Sequence, residues 1–229
     1  MTRGGEPRPQ RPVWWPDAAR HLHAADPVFA GLTELAEPTP WREPGPAFGA
    51  LVRAVIGQQI SVKAAASVWN RLLDHTGCAA PNVPDARQLR SLSVEALRGC
   101  GLSQRKAEYV LALADYFLAP GFSLQRLTAL DDDALIAELV SIRGIGRWTA
   151  EMFLMFHLHR PDVLPLGDLG LRAAAGSLYG DGAALDAATV RQLAGPWRPY
   201  ASAATWLLWR YMEADETTRA AIRSRIRSA

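Results

Sequence analysis

Apolar residues recur at three- and four-residue intervals through most of this chain. The runs AFGALVRAVIGQQ, SVKAAASVWNRLLDH, QRKAEYVLALADYFL, DDALIAELVSI, RWTAEMFLMFHLH, DLGLRAAAGSLY and ASAATWLLWRYME each line up Ala, Val, Leu and aromatic side chains on one helical face. The breaks between them carry turn chemistry: TGCAAPNVPD, CGLS, APGFS, RGIG, RPDVLPLGD, YGDG and AGPWRP. Ser61, Ser103 and Asp131 stand where an N-cap side chain is wanted ahead of the next helix. No stretch alternates with period two and β-branched enrichment, so the pattern predicts an all-α protein with essentially no sheet.

Composition narrows this picture only a little. With 229 residues, 49% of them hydrophobic, the chain can bury one large core or two small ones. No apolar run reaches the length of a membrane span. The opening MTRGGEPRPQRPVWWP is basic and Pro-rich and lacks the apolar centre of a signal peptide. It is expected to form a tail over residues 1–15, ahead of a helical domain over residues 16–229, in a cytoplasmic protein. Cys78 and Cys100 are too few for a disulfide framework or a four-thiolate cluster and are expected as small buried hydrophobes. A formal net charge of +2 permits a nucleic-acid partner without requiring one. The cations are nearly all Arg, the lysines being Lys63 and Lys106. The HLH triplets at His21–His23 and His157–His159 have no acidic or Cys neighbour to complete a metal set. LDDDAL reads as a capped helix start.

The stretch SIRGIGRWTAEMF, Ser141 to Phe153, is more specific. Gly144 and Gly146 can take backbone angles closed to other residues, and Ile145 between them would anchor the turn in the core. A helix starting near Gly146 has first amides with no intrahelical partner, and the positive end of its dipole favours an anion. A plain interhelix turn is the ordinary reading of two glycines. Asp168 likewise has an ordinary reading as an N-cap, since it precedes the apolar helix LGLRAAAG.

Four segments together carry a resemblance. LVSIRGIGRWTAEMF resembles a helix-hairpin-helix motif, here spanning about 141–157. DVLPLGDLGLR resembles the loop and aspartate that complete the signature of the helix-hairpin-helix DNA glycosylases. LVRAVIGQQIS is similar to the helix and wedge loop of their alkylated-base branch, and GLSQRKAEYVLALA matches the stretch between. They fall in family order and cover roughly Ala47 to Met212. The resemblance, to the 3-methyladenine glycosylase II branch, implies two helical subdomains with a cleft between them. It also implies excision of alkylated bases from double-stranded DNA by a monomer, with no cofactor required.

The same resemblance distributes roles. Asp168 would face the sugar, stabilising an oxocarbenium-like state and orienting or deprotonating the attacking water. Bifunctional relatives carry a nucleophilic lysine where this chain has Trp148, so hydrolysis without strand nicking is implied. Trp148, Met152 and Trp209 would line the base pocket, and an electron-rich ring suits a positively charged alkylated purine. Met152 departs from the Tyr some relatives carry. Gln58, Gln59, Ile60 and Ser61 would form the loop that fills the gap left by a flipped nucleotide, with either Gln59 or Ile60 as the wedge. Arg143, Gly144, Ile145, Gly146 and Thr149 would clamp a backbone phosphate, with room for a monovalent cation to assist. Arg105 and Lys106 would lie near the DNA backbone, unless they are only helix-surface charges.

The short lead before AFGALVRAV implies that an extra N-terminal β-containing domain is missing and that the cleft is more open. Ala54, where an adenine-mismatch glycosylase would carry Glu, argues against that subfamily, as does the shortage of cysteines for an iron–sulfur cluster. Other readings stay open: a noncatalytic DNA-binding module in which Asp168 is only a cap, a glycosylase/lyase, or a glycosylase for another lesion.

Overall fold

A computed structural model of the chain describes residues 11–32, 35, 41, 45–79 and 82–227. Among the described residues there are fourteen α-helices and no strand. They are α1 (Trp15–Ala25), α2 (Pro27–Leu32), α3 (Ala47–Gly57), α4 (Val62–Thr76), α5 (Ala86–Arg90), α6 (Val94–Gly99) and α7 (Gln104–Leu118). There follow α8 (Leu124–Thr128), α9 (Asp132–Val140), α10 (Arg147–Phe156), α11 (Leu169–Tyr179), α12 (Ala187–Leu193), α13 (Ala201–Glu213) and α14 (Glu216–Arg227). No helix among the described residues is long and apolar enough to cross a membrane.

The chain divides into two compact units, one of Pro44–Leu158 and one of Met1–Glu43 with His159–Ala229. In the first, α3 packs against α4, α7 and α10. Its Leu51, Val52, Val55 and Ile56 are at most 1% exposed, the i, i+3/i+4 stripe visible in the sequence. Ala107, Val110, Leu113 and Ala114 of α7 are fully buried, as are Leu135 and Leu139 of α9. Ser61, Ser103 and Asp131 cap α4, α7 and α9 by accepting from the amides of Ala64, Lys106 and Ala134.

In the second unit α13 is the central helix, packed against α1, α2 and α11. Every residue from Ala201 to Leu208 is buried. Trp15 and Trp41 pack against Trp206, with ring centroids 5.1 and 5.7 Å away. The sequence puts Trp14 and Trp15 at the end of a tail. Instead Trp15 starts α1 and is 6% exposed, and the Trp14 indole N–H donates to the His159 carbonyl. Large aromatic area beside other tryptophans outweighs the disorder-prone composition around it. Residues 1–10 of that tail lie outside the described residues.

Asp26 accepts hydrogen bonds from the Tyr179 hydroxyl at 2.6 Å, the Trp197 indole at 3.2 Å and the Val28 amide. Burial, and then the bond to Asp26, raise Tyr179 far above the usual tyrosine value. α14 shows little apolar periodicity in the sequence. It docks through the buried Ile222 side chain, 4% exposed, and through Arg223 donating to the Tyr211 hydroxyl.

Candidate functional site

The hairpin runs from α9 to α10. The Ile145 amide donates to the Ile142 carbonyl at 3.0 Å, closing the turn, and Ile142 and Ile145 are 5% and 4% exposed, so the turn is rooted in the core. Only one of its glycines uses glycine's freedom. Gly144 has φ +93°, and a Cβ there would lie 2.1 Å from Tyr109 Cγ. Gly146 is extended, with φ −89° and ψ 166°, and has nothing within 4 Å of an added Cβ. Its lack of a side chain has another effect: α10 starts with no side-chain cap, whereas Ser or Asp caps α4, α7, α9 and α11.

The loop after α3 is held close to this turn. Gln58 Nε2 donates to the Gly144 carbonyl at 3.0 Å and to Thr149 Oγ1 at 3.2 Å. Thr149 is itself buried, at 3% exposure. Gln58 and Thr149, expected to touch DNA, are therefore engaged with each other, because a half-buried amide needs partners. Gln59 is exposed and takes φ +57°, an uncommon conformation for a residue with a Cβ. Ile60 is 40% exposed, and Ser61 serves as the α4 cap. The loop tip is thus Gln59 and Ile60.

Loop and hairpin flank a depression of about 480 Å³, whose lining includes Gln58, Gln59, Tyr109, Gly144, Gly146 and Trp148. Trp148, in the first turn of α10, is 44% exposed, large for an aromatic residue, and Met152 is half-buried one turn further on. Arg143 pairs with Glu108 at 2.7 Å and lies over the Tyr109 ring. A hydrogen bond from Gln104, followed by the Arg143 charge, holds the Glu108 carboxyl below the usual range. Arg105 is exposed and donates to the Tyr109 hydroxyl. Lys106 donates to the carbonyls of Ile56 and Gln58 at 2.7 and 2.6 Å. Burial pushes its ammonium group below the usual lysine value.

In the other unit, Asp168 caps α11. Its Oδ1 accepts from the Leu171 amide at 2.7 Å and from Trp209 Nε1 at 2.8 Å. The cap was legible from sequence; the indole bond was not. Trp209, expected to line the base pocket, also donates its indole N–H to the carboxylate. The loop entering Asp168 is fastened by residues sequence reasoning missed. The buried Ser202 hydroxyl donates to the Arg160 carbonyl and accepts from the Val163 amide, while Asp162 pairs with Arg198. A Ser in the mostly apolar first half of α13 was the available signal.

The sequence matches the profile of the HhH-GPD superfamily base excision DNA repair proteins over residues 52–199. It is 30% identical over 205 residues to DNA-3-methyladenine glycosylase 1 of Schizosaccharomyces pombe, covering 87% of this chain and 88% of that protein. It is also 30% identical over 197 residues to the alkylbase DNA glycosidase-like protein mag2 of the same organism, covering 84% and 91%. The solved structure of S. pombe 3-methyladenine DNA glycosylase (Mag1) in complex with abasic DNA superposes with a TM-score of 0.75, covering 86% of this chain and 97% of that one. The matched span contains the loop over residues 58–61, the hairpin and Asp168, and the chain belongs to the HhH-GPD superfamily of base excision DNA repair proteins.

Proposed function

We propose that the protein is a monofunctional DNA glycosylase that releases alkylated bases by hydrolysing the N-glycosidic bond of a flipped nucleotide. The observation that carries this reading is Asp168: a carboxylate pinned through one oxygen by a helix amide and an indole N–H, downstream of a hairpin with an uncapped helix start. A carboxylate held in place before the reaction can stabilise positive charge that develops on the sugar without reorganising. The C1′–N bond breaks with its electron pair leaving on the base. Water adds to C1′ and gives up a proton, for which Asp168 is the acceptor. An alkylated purine cation is already a good leaving group, and a Trp148 ring stacked on it gains about 0.5–2 kcal/mol of cation–π attraction. Trp148 occupies the position where the resemblance puts the lysine of the lyases, so water is the nucleophile. The similarity to proteins named 3-methyladenine glycosylases supports the substrate class, and abasic DNA, which Mag1 binds in its complex, is what base release leaves behind.

Gln59, or Ile60 beside it, enters the duplex in place of the flipped nucleotide, and the hairpin and α10 start receive a phosphate. The hairpin presents carbonyl oxygens, a donor set that suits a monovalent cation. Those of Ile142 and Gly144 already accept hydrogen bonds within the protein, and no step is assigned to a cation.

The test is base release from methylated duplex DNA by wild type and Asp168→Asn. Asn keeps the cap acceptor but removes the charge. An anion about 4 Å from a developing cation at an effective dielectric near 20 is worth about 4 kcal/mol. The variant is therefore expected to be about 1000-fold slower. Strand breaks are expected only after alkali. Equal release by both proteins would remove Asp168 from the chemistry, and DNA binding without release by wild type would leave a noncatalytic module.

A further inference from the structure

The loop that carries Gln59 follows the C-terminus of α3, where the last carbonyls of a helix have no intrahelical partner and the dipole is negative. Two of these carbonyls, Ile56 and Gln58, converge on Lys106 Nζ from the start of α7, at 2.7 and 2.6 Å. From the other side, the Gln58 side chain is tied to Gly144 and Thr149. Gln59 lies immediately beyond these ties, exposed and in the left-handed region at φ +57°. A non-glycine residue keeps such a conformation only when its surroundings over-determine it. Lys106 supplies that constraint on the residue directly preceding it.

We infer that Lys106 is a positioning residue for base extrusion: its ammonium group grips the carbonyls of Ile56 and Gln58, holds Gln59 at the loop tip in its left-handed conformation, and does not serve as a DNA phosphate contact. The inference rests on the wedge reading proposed above. It separates two lysine roles that charge alone cannot distinguish. A phosphate-binding lysine contributes affinity to every duplex and releases a counterion. A lysine that shapes the wedge matters only where a paired, stacked nucleotide has to be displaced.

The experiment compares wild type, Lys106→Met and Lys106→Arg, with Arg105→Ala as the exposed-cation control. Single-turnover base release is measured on a lesion in a normal pair and on the same lesion in a single-nucleotide bulge, where extrusion is easy. Binding to abasic duplex is measured across a salt series. Lys106→Met is expected to slow release at least about 10-fold from the paired lesion and less than about 2-fold from the bulge. Its salt slope should match wild type, while Arg105→Ala reduces the slope by about 0.9. Lys106→Arg keeps the charge, but a longer, planar guanidinium does not place its donors where the compact ammonium sits, so a smaller loss of about 3-fold, again confined to the paired lesion, is expected.

Equal slowing on both substrates with a reduced salt slope would make Lys106 a phosphate contact and overturn the inference, as would wild-type rates in the Met variant. If Lys106→Met does not fold, the Arg variant decides: wild-type release from the paired lesion refutes the inference. If wild type releases no base, the proposed function falls. Lys106 is then still tested by 2-aminopurine fluorescence, which reports extrusion without cleavage.

Discussion

Replacing Trp209 with Phe removes the indole donor on Asp168 Oδ1 while keeping an aromatic ring in α13. The donor distances, 2.7 Å from the Leu171 amide and 2.8 Å from the indole, lie in the range of charge-assisted bonds. A bond to a charged group nets about 1.5–3 kcal/mol, and both residues are half-buried, so solvent screening favours the lower end. Adding roughly 1 kcal/mol for the packing lost with the indole gives about 2–3 kcal/mol of destabilisation. At about 2–4 °C per kcal/mol for a chain of this size, the melting temperature should drop by about 5–10 °C. The chemistry should suffer separately. Without the indole bond the carboxylate is held less firmly, and a loss of about 1.4 kcal/mol in positioning slows kcat about 10-fold. Single-turnover release under saturating enzyme, set beside KM from steady state, reads the two effects apart. If Trp209 acts by stacking on the base, Phe keeps that face, and the change appears in KM and lesion preference with kcat intact. An unchanged kcat in a folded Trp209→Phe protein would refute the positioning argument.

Two more substitutions test the other half of the site. Gly144→Ala forces a Cβ to within 2.1 Å of Tyr109 Cγ at a positive φ, which should cost about 2–4 kcal/mol and weaken DNA binding, whereas Gly146→Ala should melt within about 0.5 kcal/mol of wild type. Equal melting of the two variants would show that the hairpin relaxes around Tyr109. Gln59→Gly relieves a left-handed side-chain conformation worth about 1 kcal/mol, which roughly offsets glycine's greater chain entropy, so the melting temperature should move by less than about 3 °C. Base release from a paired lesion should nonetheless fall with the wedge side chain gone; unchanged release would assign the wedge to Ile60.

What could be read along the chain was what depends on near neighbours. The seven periodic runs correspond to α3, α4, α7, α9, α10, α11 and α13. The caps at Ser61, Ser103, Asp131 and Asp168 were legible because each bonds an amide three residues on. α14 escaped because its run, ETTRAAIRSRIR, is mostly charged and polar, with Ile222 its one buried side chain among the described residues. Roles that depend on distant partners were read less well. Asp168 and Trp209 meet across 41 positions, Gln58 and Gly144 across 86, and Lys106 reaches carbonyls 48 and 50 residues away. Lys106 and Gln58 looked like surface polar groups, and Gly146 looked as obligatory as Gly144. Folding separated them, because a polar group half-removed from water must find a partner wherever the chain brings one, and a glycine is required only where a neighbour such as Tyr109 leaves no room for a Cβ or the backbone turns left-handed.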